Sequence, residues 1–152
     1  MADYHIQPEP HPTLEDCNEL TAKLVAYNVR FVGTDPIDRI GVFVRNDAGE
    51  VKGGAIGWVK WNWLSVDIVW LSDELRGKGI GRELLNQIEQ LAAGRGCDNV
   101  HLDTFDFQAR EFYQKQGYEI FGTLDDYPNG HQRFYLKKRL DPISSPNPSR
   151  NV

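Results

Sequence analysis

Val66-Asp67-Ile68-Val69-Trp70-Leu71 is followed by Ser72-Asp73-Glu74-Leu75 and then by Arg76-Gly77-Lys78-Gly79-Ile80-Gly81. The order reads as strand, loop, glycine-rich turn and helix start. Val66, Ile68 and Trp70 alternate with Asp67, Val69 and Leu71, which suits a strand covered on both faces at one end. Three glycines in five positions let the backbone approach a ligand with no Cβ atoms in the way. From Ile80 onward, apolar residues recur at Leu84, Leu85, Ile88, Leu91 and Ala92, which trace one face of a helix. A glycine turn that opens a helix offers unpaired N–H groups and the positive end of the helix dipole. It is a seat for phosphate.

The turn is neither of the two common phosphate loops. A Walker loop needs a hydroxyl after its last glycine and lysine, and Gly81-Arg82 has none. Gly77, Gly79 and Gly81 are spaced two and two, which breaks the dinucleotide fingerprint. The turn resembles instead the pyrophosphate loop of the GNAT superfamily of acetyl-CoA-dependent N-acetyltransferases, Q/R-x-x-G-x-G/A, with Arg76, Gly79 and Gly81 in place. A second stretch, from Asp106 to Tyr118, resembles the same family's N-x-x-A-x-x-h-Y-x-k-x-G-F motif. Ala109, Phe112, Tyr113, Lys115 and Gly117 match, Tyr118 stands for Phe, and Asp106 stands for the usual Asn. The resemblance covers about residues 13–140.

Length and composition bound the answer. The 152 residues suit one domain, expected over 1–140, with a tail over 141–152 rich in Pro, Ser and Asn and without fixed structure. No apolar run approaches a membrane span of ~20 residues, and no signal peptide is visible, so a cytoplasmic protein is expected. A net charge of −5 argues against nucleic acid as a partner. Cys17 and Cys97 read as incidental thiols, and His5 and His11 lack metal-ligand companions, so no metal is expected.

Along the chain, an extended lead-in with a short edge strand near Tyr4–Ile6 precedes a helix over about 14–30, capped by Thr13. Strands are expected at Arg39–Arg45 and Val51–Trp61, with Gly53, Gly54 and Gly57 allowing a bend or bulge. The central strand follows, then the helix from Ile80, a strand at Val100–Phe105 and a helix from Asp106 to Lys115. Strands at Tyr118–Leu124 and His131–Leu140 form a closing hairpin. The fold class is α/β: a mixed, mostly antiparallel sheet of six or seven strands, splayed at its centre, with helices on both faces. Trp58, Trp61, Trp63 and Trp70 cluster here and either pack a core face or wall an acceptor groove.

The resemblance implies a site. The central strand and the Val100–Phe105 strand start parallel and then part, and a pantetheine arm bonds the free edge near Val69 and Leu71. The pyrophosphate lies on the N–H groups of Arg76, Gly77, Lys78, Gly79, Ile80, Gly81 and Arg82. Asp106, Gln108, Ala109, Phe112 and Tyr113 line the donor's other side. The Leu71 N–H is aimed at the developing oxyanion. Tyr113 stands where relatives place a general acid for the leaving thiolate. An amine of pKa ~10.4 must lose a proton before it attacks. Asp67 and Asp103 are the candidate bases, with Glu74, His101 and ordered water as alternatives. Asp125, Asp126, Tyr127, Asn129 and His131 form a hairpin tip that is either a solvated turn or an attractor for a cationic amine. Cys97 is badly placed as a nucleophile. The implied activity is direct acetyl transfer from acetyl-CoA to a primary amine of a small cationic molecule in a ternary complex. A protein lysine or N-terminus as acceptor, a non-catalytic acyl-CoA sensor, and an interaction protein built on the tryptophans are the rivals. A homodimer is compatible with the family.

Overall fold

The computed structural model describes residues 2–142, and the expected tail lies, but for Asp141 and Pro142, outside them. The described residues fall into two units, 2–35 and 36–142.

The first unit is one helix with a lead-in. Residues 2–12 form no strand, so the edge strand expected at Tyr4–Ile6 is absent. Three prolines in that stretch remove ladder donors and hold the chain extended. Helix α1, Leu14–Val32, starts at Thr13, whose Oγ1 accepts from the Asp16 N–H at 3.1 Å. It ends at Gly33, whose φ of 71° suits glycine. None of its residues is buried.

The second unit is a six-stranded sheet in the order β1-β2-β3-β4-β6-β5. Strands β1 (Asp38–Arg45), β2 (Val51–Lys60) and β3 (Trp63–Leu71) form the expected antiparallel meander. Helix α2, Ile80–Ala93, leads into β4 (Asn99–Phe105), which runs parallel to β3. Helix α3, Arg110–Lys115, precedes the hairpin β5 (Glu119–Asp125) and β6 (Gln132–Arg139). The last strand inserts between β4 and β5, so every pair except β3–β4 is antiparallel.

The core lies between the sheet and α2. Leu84, Leu85, Ile88 and Ala92 of α2 pack with Ala55, Val59, Leu64, Val66, Val100, Leu102 and Leu136. The stripe differs from the expected one at two positions. Leu91 is exposed, while Glu89 is buried. Glu89 tolerates burial because it accepts from the Tyr118 hydroxyl at 2.6 Å and from Lys138 Nζ at 3.0 Å. Phe112 and Tyr113 bring α3 onto the same core. Within this unit both helices therefore cover one face of the sheet.

Helix α3 begins four residues later than expected. The Asp106 carboxylate does not serve a helix start. One oxygen contacts His131 Nδ1 at 2.9 Å and the other accepts from the Gln132 N–H at 3.1 Å. Gln108 Oε1 accepts from the Phe105 N–H and the Thr104 hydroxyl, both at 3.0 Å. These side-chain bonds hold 106–109 as a turn.

Candidate active site

One irregularity opens the sheet. On β2 and β3, Ile56 faces Ile68 and Gly57 faces Val66, so Asp67 is an extra residue in a β-bulge. Gly57 is required there, because a Cβ would lie 2.2 Å from the Ser65 carbonyl oxygen. The parallel β3–β4 ladder stops at the same level: its last pair is Val66 with Leu102. The next residues on the two strands are Asp67 and Asp103. Two carboxylates thus stand at the apex where the strands part.

Beyond the apex the β3 edge is available. The Ser72 N–H donates to the Lys52 carbonyl at 2.8 Å, so in this antiparallel register Ser72 and Trp70 bond to β2. By alternation, the N–H and C=O groups of Val69 and Leu71 turn toward the gap. The Leu71 carbonyl accepts from Arg76 Nε at 3.2 Å.

The gap is a cleft of about 610 Å³. It gathers Asp67, Val69, Leu71, Arg76, Gly81, Asp103, Gln108, Ala109, Phe112 and Tyr113 from the expected residues, takes in Trp70 of the four tryptophans, and adds Ile68, Thr104 and Phe107. Gly77, Lys78, Gly79, Ile80 and Arg82 lie in the turn and the first helical turn around Gly81, outside the lining. Gly77 and Gly79 have φ of 72° and 78°, a conformation that only glycine adopts at little cost. Gly81 faces Leu71 and Phe112, where an added Cβ would sit at 3.6 and 3.5 Å. The turn thus ends β3 and starts α2 with its free N–H groups exposed, flanked by the exposed Arg76, Lys78 and Arg82. A diphosphate with an amide-bearing arm fits this donor set: N–H groups and cations at the turn, alternating N–H and C=O along the β3 edge. Asp106 lies outside the lining, with its carboxylate on His131 and Gln132.

Each apex carboxylate is oriented. Asp67 Oδ1 accepts from Trp58 Nε1 at 3.1 Å, and Arg39 lies 3.9 Å from its Oδ2. Arg133 Nε donates to Asp103 Oδ1 at 2.8 Å, and its Nη2 lies 2.8 Å from the same oxygen as an ion pair. Arg133 was not singled out from sequence, and Trp58 was named there only as one of the clustered tryptophans, not as a partner of Asp67. Arg133 sits diagonally across the β4–β6 register from Asp103, a relation visible only once the strands are paired.

Tyr113 is 8% exposed, with its ring in the core and its side chain reaching the cleft. Burial, and secondly the charge of Asp103, push its phenol up to about 12. It is therefore protonated at neutral pH. His101 lies on β4 two residues before Asp103, and burial lowers its pKa against the opposing pull of Asp103 and Asp67. Glu74 lies outside the cleft lining and pairs with Lys52 at 3.8 Å. At the hairpin tip, Asp126 accepts from the Gly130 N–H at 3.3 Å and Asp125 from Gln132 at 2.8 Å, so both carboxylates serve the turn. None of the four tryptophans belongs to the buried core. Among the described residues, no group of three His, Cys, Asp or Glu is placed to hold a metal ion, and no helix is long and apolar enough to cross a membrane.

A splayed β3–β4 pair with a glycine turn at the head of α2 defines a class of coenzyme-A-using transferases, and comparison with known proteins agrees. Residues 4–118 match the Acetyltransferase (GNAT) family. The chain is 37% identical over 106 residues to blasticidin-S acetyltransferase of Streptomyces morookaense, covering 69% of this chain and 78% of that one. It is 33% identical over 117 residues to acetyltransferase Atu2258 of Agrobacterium fabrum, covering 77% and 85%. A solved acetyltransferase from Bacillus cereus superposes with a TM-score of 0.82 at 33% identity, covering 90% of this chain and 98% of that one. The chain belongs to the GNAT acetyltransferase family and is an acetyl-transferring enzyme, and that family draws its acetyl group from acetyl-CoA.

Proposed function

We propose that this chain transfers the acetyl group of acetyl-CoA to the primary amine of a small cationic molecule, by direct attack with both substrates bound. The observation that carries this reading is the meeting, at one cleft apex, of two oriented carboxylates and a buried protonated phenol beside a free strand edge. Acetyl-CoA supplies an activated thioester. The residues from Arg76 to Arg82 hold its diphosphate, and Val69 and Leu71 hold its arm by main-chain bonds. Gln108, Ala109 and Phe112 bound the arm on the α3 side. The Leu71 N–H faces the carbonyl oxygen as it gains negative charge.

Asp67 and Asp103 attract the acceptor's ammonium and orient it. One proton leaves the ammonium through a carboxylate or bound water to solvent, which frees the lone pair. As nitrogen bonds to the acyl carbon and the carbon–sulfur bond breaks, Tyr113 gives its proton to sulfur. In the same movement its oxygen takes the second proton from nitrogen, so Tyr113 ends as it began. The likeness to a protein named for acetylating blasticidin-S favours a small acceptor over a protein.

The test has two arms. Calorimetric titration with acetyl-CoA should show saturable binding. A thiol-release assay over a panel of small amines and lysine peptides should show turnover with amines first. Absence of acetyl-CoA binding at millimolar ligand overturns the reading. Turnover confined to peptides overturns its acceptor half.

A further inference from the structure

We propose that the acceptor carries a flat ring next to its amine, and that Trp70 and Phe107 grip this ring from the two sides of the cleft. This rests on the cleft being the acetyl-transfer site and adds the shape of the acceptor. Trp70 is 51% exposed and Phe107 57% exposed, and both line the cleft. Large aromatic surfaces left open beside polar groups mark places where something binds.

The two walls are built differently and both are uncovered. On β3, Val69 and Leu71 point into the core, so Trp70 projects from the opposite face of the sheet. The residue across from it on β2 is Gly54, which has no side chain to shield the indole. On the other wall, Phe107 ends a column of rings. Tyr127 stacks on Phe105 at 6.1 Å, and Phe105 stacks on Phe107 at 5.1 Å and 3°. Arg133 lies 5.4 Å from the centre of Phe105 and 4.9 Å from that of Tyr127, while it holds Asp103. The column is therefore fixed to the carboxylate that faces the amine. His131 meets Phe107 at a near right angle, 81°, so it does not continue the stack.

One more ring would extend this column into the cleft. Its ammonium would then face Asp67 and Asp103 at the apex. An aliphatic polyamine would leave both aromatic walls wet, and an anionic acceptor would meet two carboxylates. The chemistry that fits is a cation with a planar, weakly polar body.

The test compares three primary amines as acceptors: 2-phenylethylamine, 2-cyclohexylethylamine and butylamine. With acetyl-CoA saturating, kcat/KM for the phenyl compound should exceed that for the cyclohexyl one by about tenfold, the scale of one aromatic stacking contact. Trp70→Ala and Phe107→Ala should each collapse that ratio toward one through KM, and Trp70→Phe should restore part of it. Independently of turnover, titrating 2-phenylethylamine into the protein alone should quench tryptophan fluorescence, and Trp70→Ala should abolish the change. Equal kcat/KM for all three amines overturns the inference while leaving acetyl transfer intact. If the alanine variants weaken acetyl-CoA instead, the rings line the donor's path and the inference fails. Loss of acetyl-CoA binding in the unaltered protein would instead count against the underlying enzyme reading, and the fluorescence titration would still decide about the ring.

Discussion

Replacing Tyr113 by Phe removes one hydroxyl and keeps the ring. The core uses the ring, which stands at steep angles to Phe112 at 5.1 Å and Tyr118 at 5.8 Å. Phe fills the same place, so the folded state should lose about 1 kcal/mol at most. In the proposed mechanism the chemistry uses the hydroxyl. Its phenol sits at about 12, whereas a thiol leaving group titrates near ~8.5. Handing over the proton outright would climb about 3.5 pH units, or about 5 kcal/mol. That climb disappears when nitrogen gives its own proton to the phenolate in the same movement, which is why the proposed role of Tyr113 is that of a shuttle. Positioned acids contribute about 10²–10⁴-fold to rate, and a poorly matched pKa places this one near the lower end. The expected kcat is therefore about a hundredfold below that of the unaltered enzyme. A thiol-release assay at saturating acetyl-CoA and amine measures it, with calorimetry for donor affinity and thermal unfolding for stability. Donor affinity should stay within about twofold. Turnover unchanged by the substitution would return Tyr113 to the core as a packing residue. Parallel losses of affinity and turnover would make it a binding residue.

Gly79→Ala places a Cβ in open space but at a φ of 78°, so it should cost about 1 kcal/mol in urea unfolding and weaken acetyl-CoA several-fold by calorimetry. Gly57→Ala should cost more than Gly79→Ala, because its Cβ meets a backbone oxygen at 2.2 Å; kcat should fall with it as Asp67 is re-aimed. Burial raises the phenols of both Tyr113 and Tyr118, so the unfolded chain releases these protons first. Their contribution to stability is complete below ~10 and is lost as pH climbs through that value toward about 12 for Tyr113. Urea unfolding between pH 8 and 11 should show this decline, and Tyr113→Phe should make it shallower.

What could be read from the chain was whatever local chemistry decides. Gly77 and Gly79 announce a turn because few other residues adopt their φ, and Thr13 announces a helix because its hydroxyl reaches Asp16. The meander and the closing hairpin follow from alternation and turn residues, whereas the parallel start of β3 and β4 was implied by the family resemblance. The errors lie where a distant strand competes. Asp106 looks like the head of a helix, but His131, just before β6, and Gln132, its first residue, lie 25 and 26 residues on and take its carboxylate. The site divides the same way. Asp67 and Asp103 were visible as acids on adjacent strands, yet nothing local says that both fall one residue past the last ladder pair. That coincidence depends on the bulge, the bulge on Gly57 facing Val66, and Gly57 on the Ser65 carbonyl 2.2 Å from where a Cβ would be. A glycine noted in the sequence as permitting a bend thus sets where the strands part, and with it which two carboxylates stand at the apex. Shifting that bulge by one residue would turn Asp67 into the ladder and present Ile68 at the apex, removing one charge from the place where the proposed mechanism has the amine shed its proton.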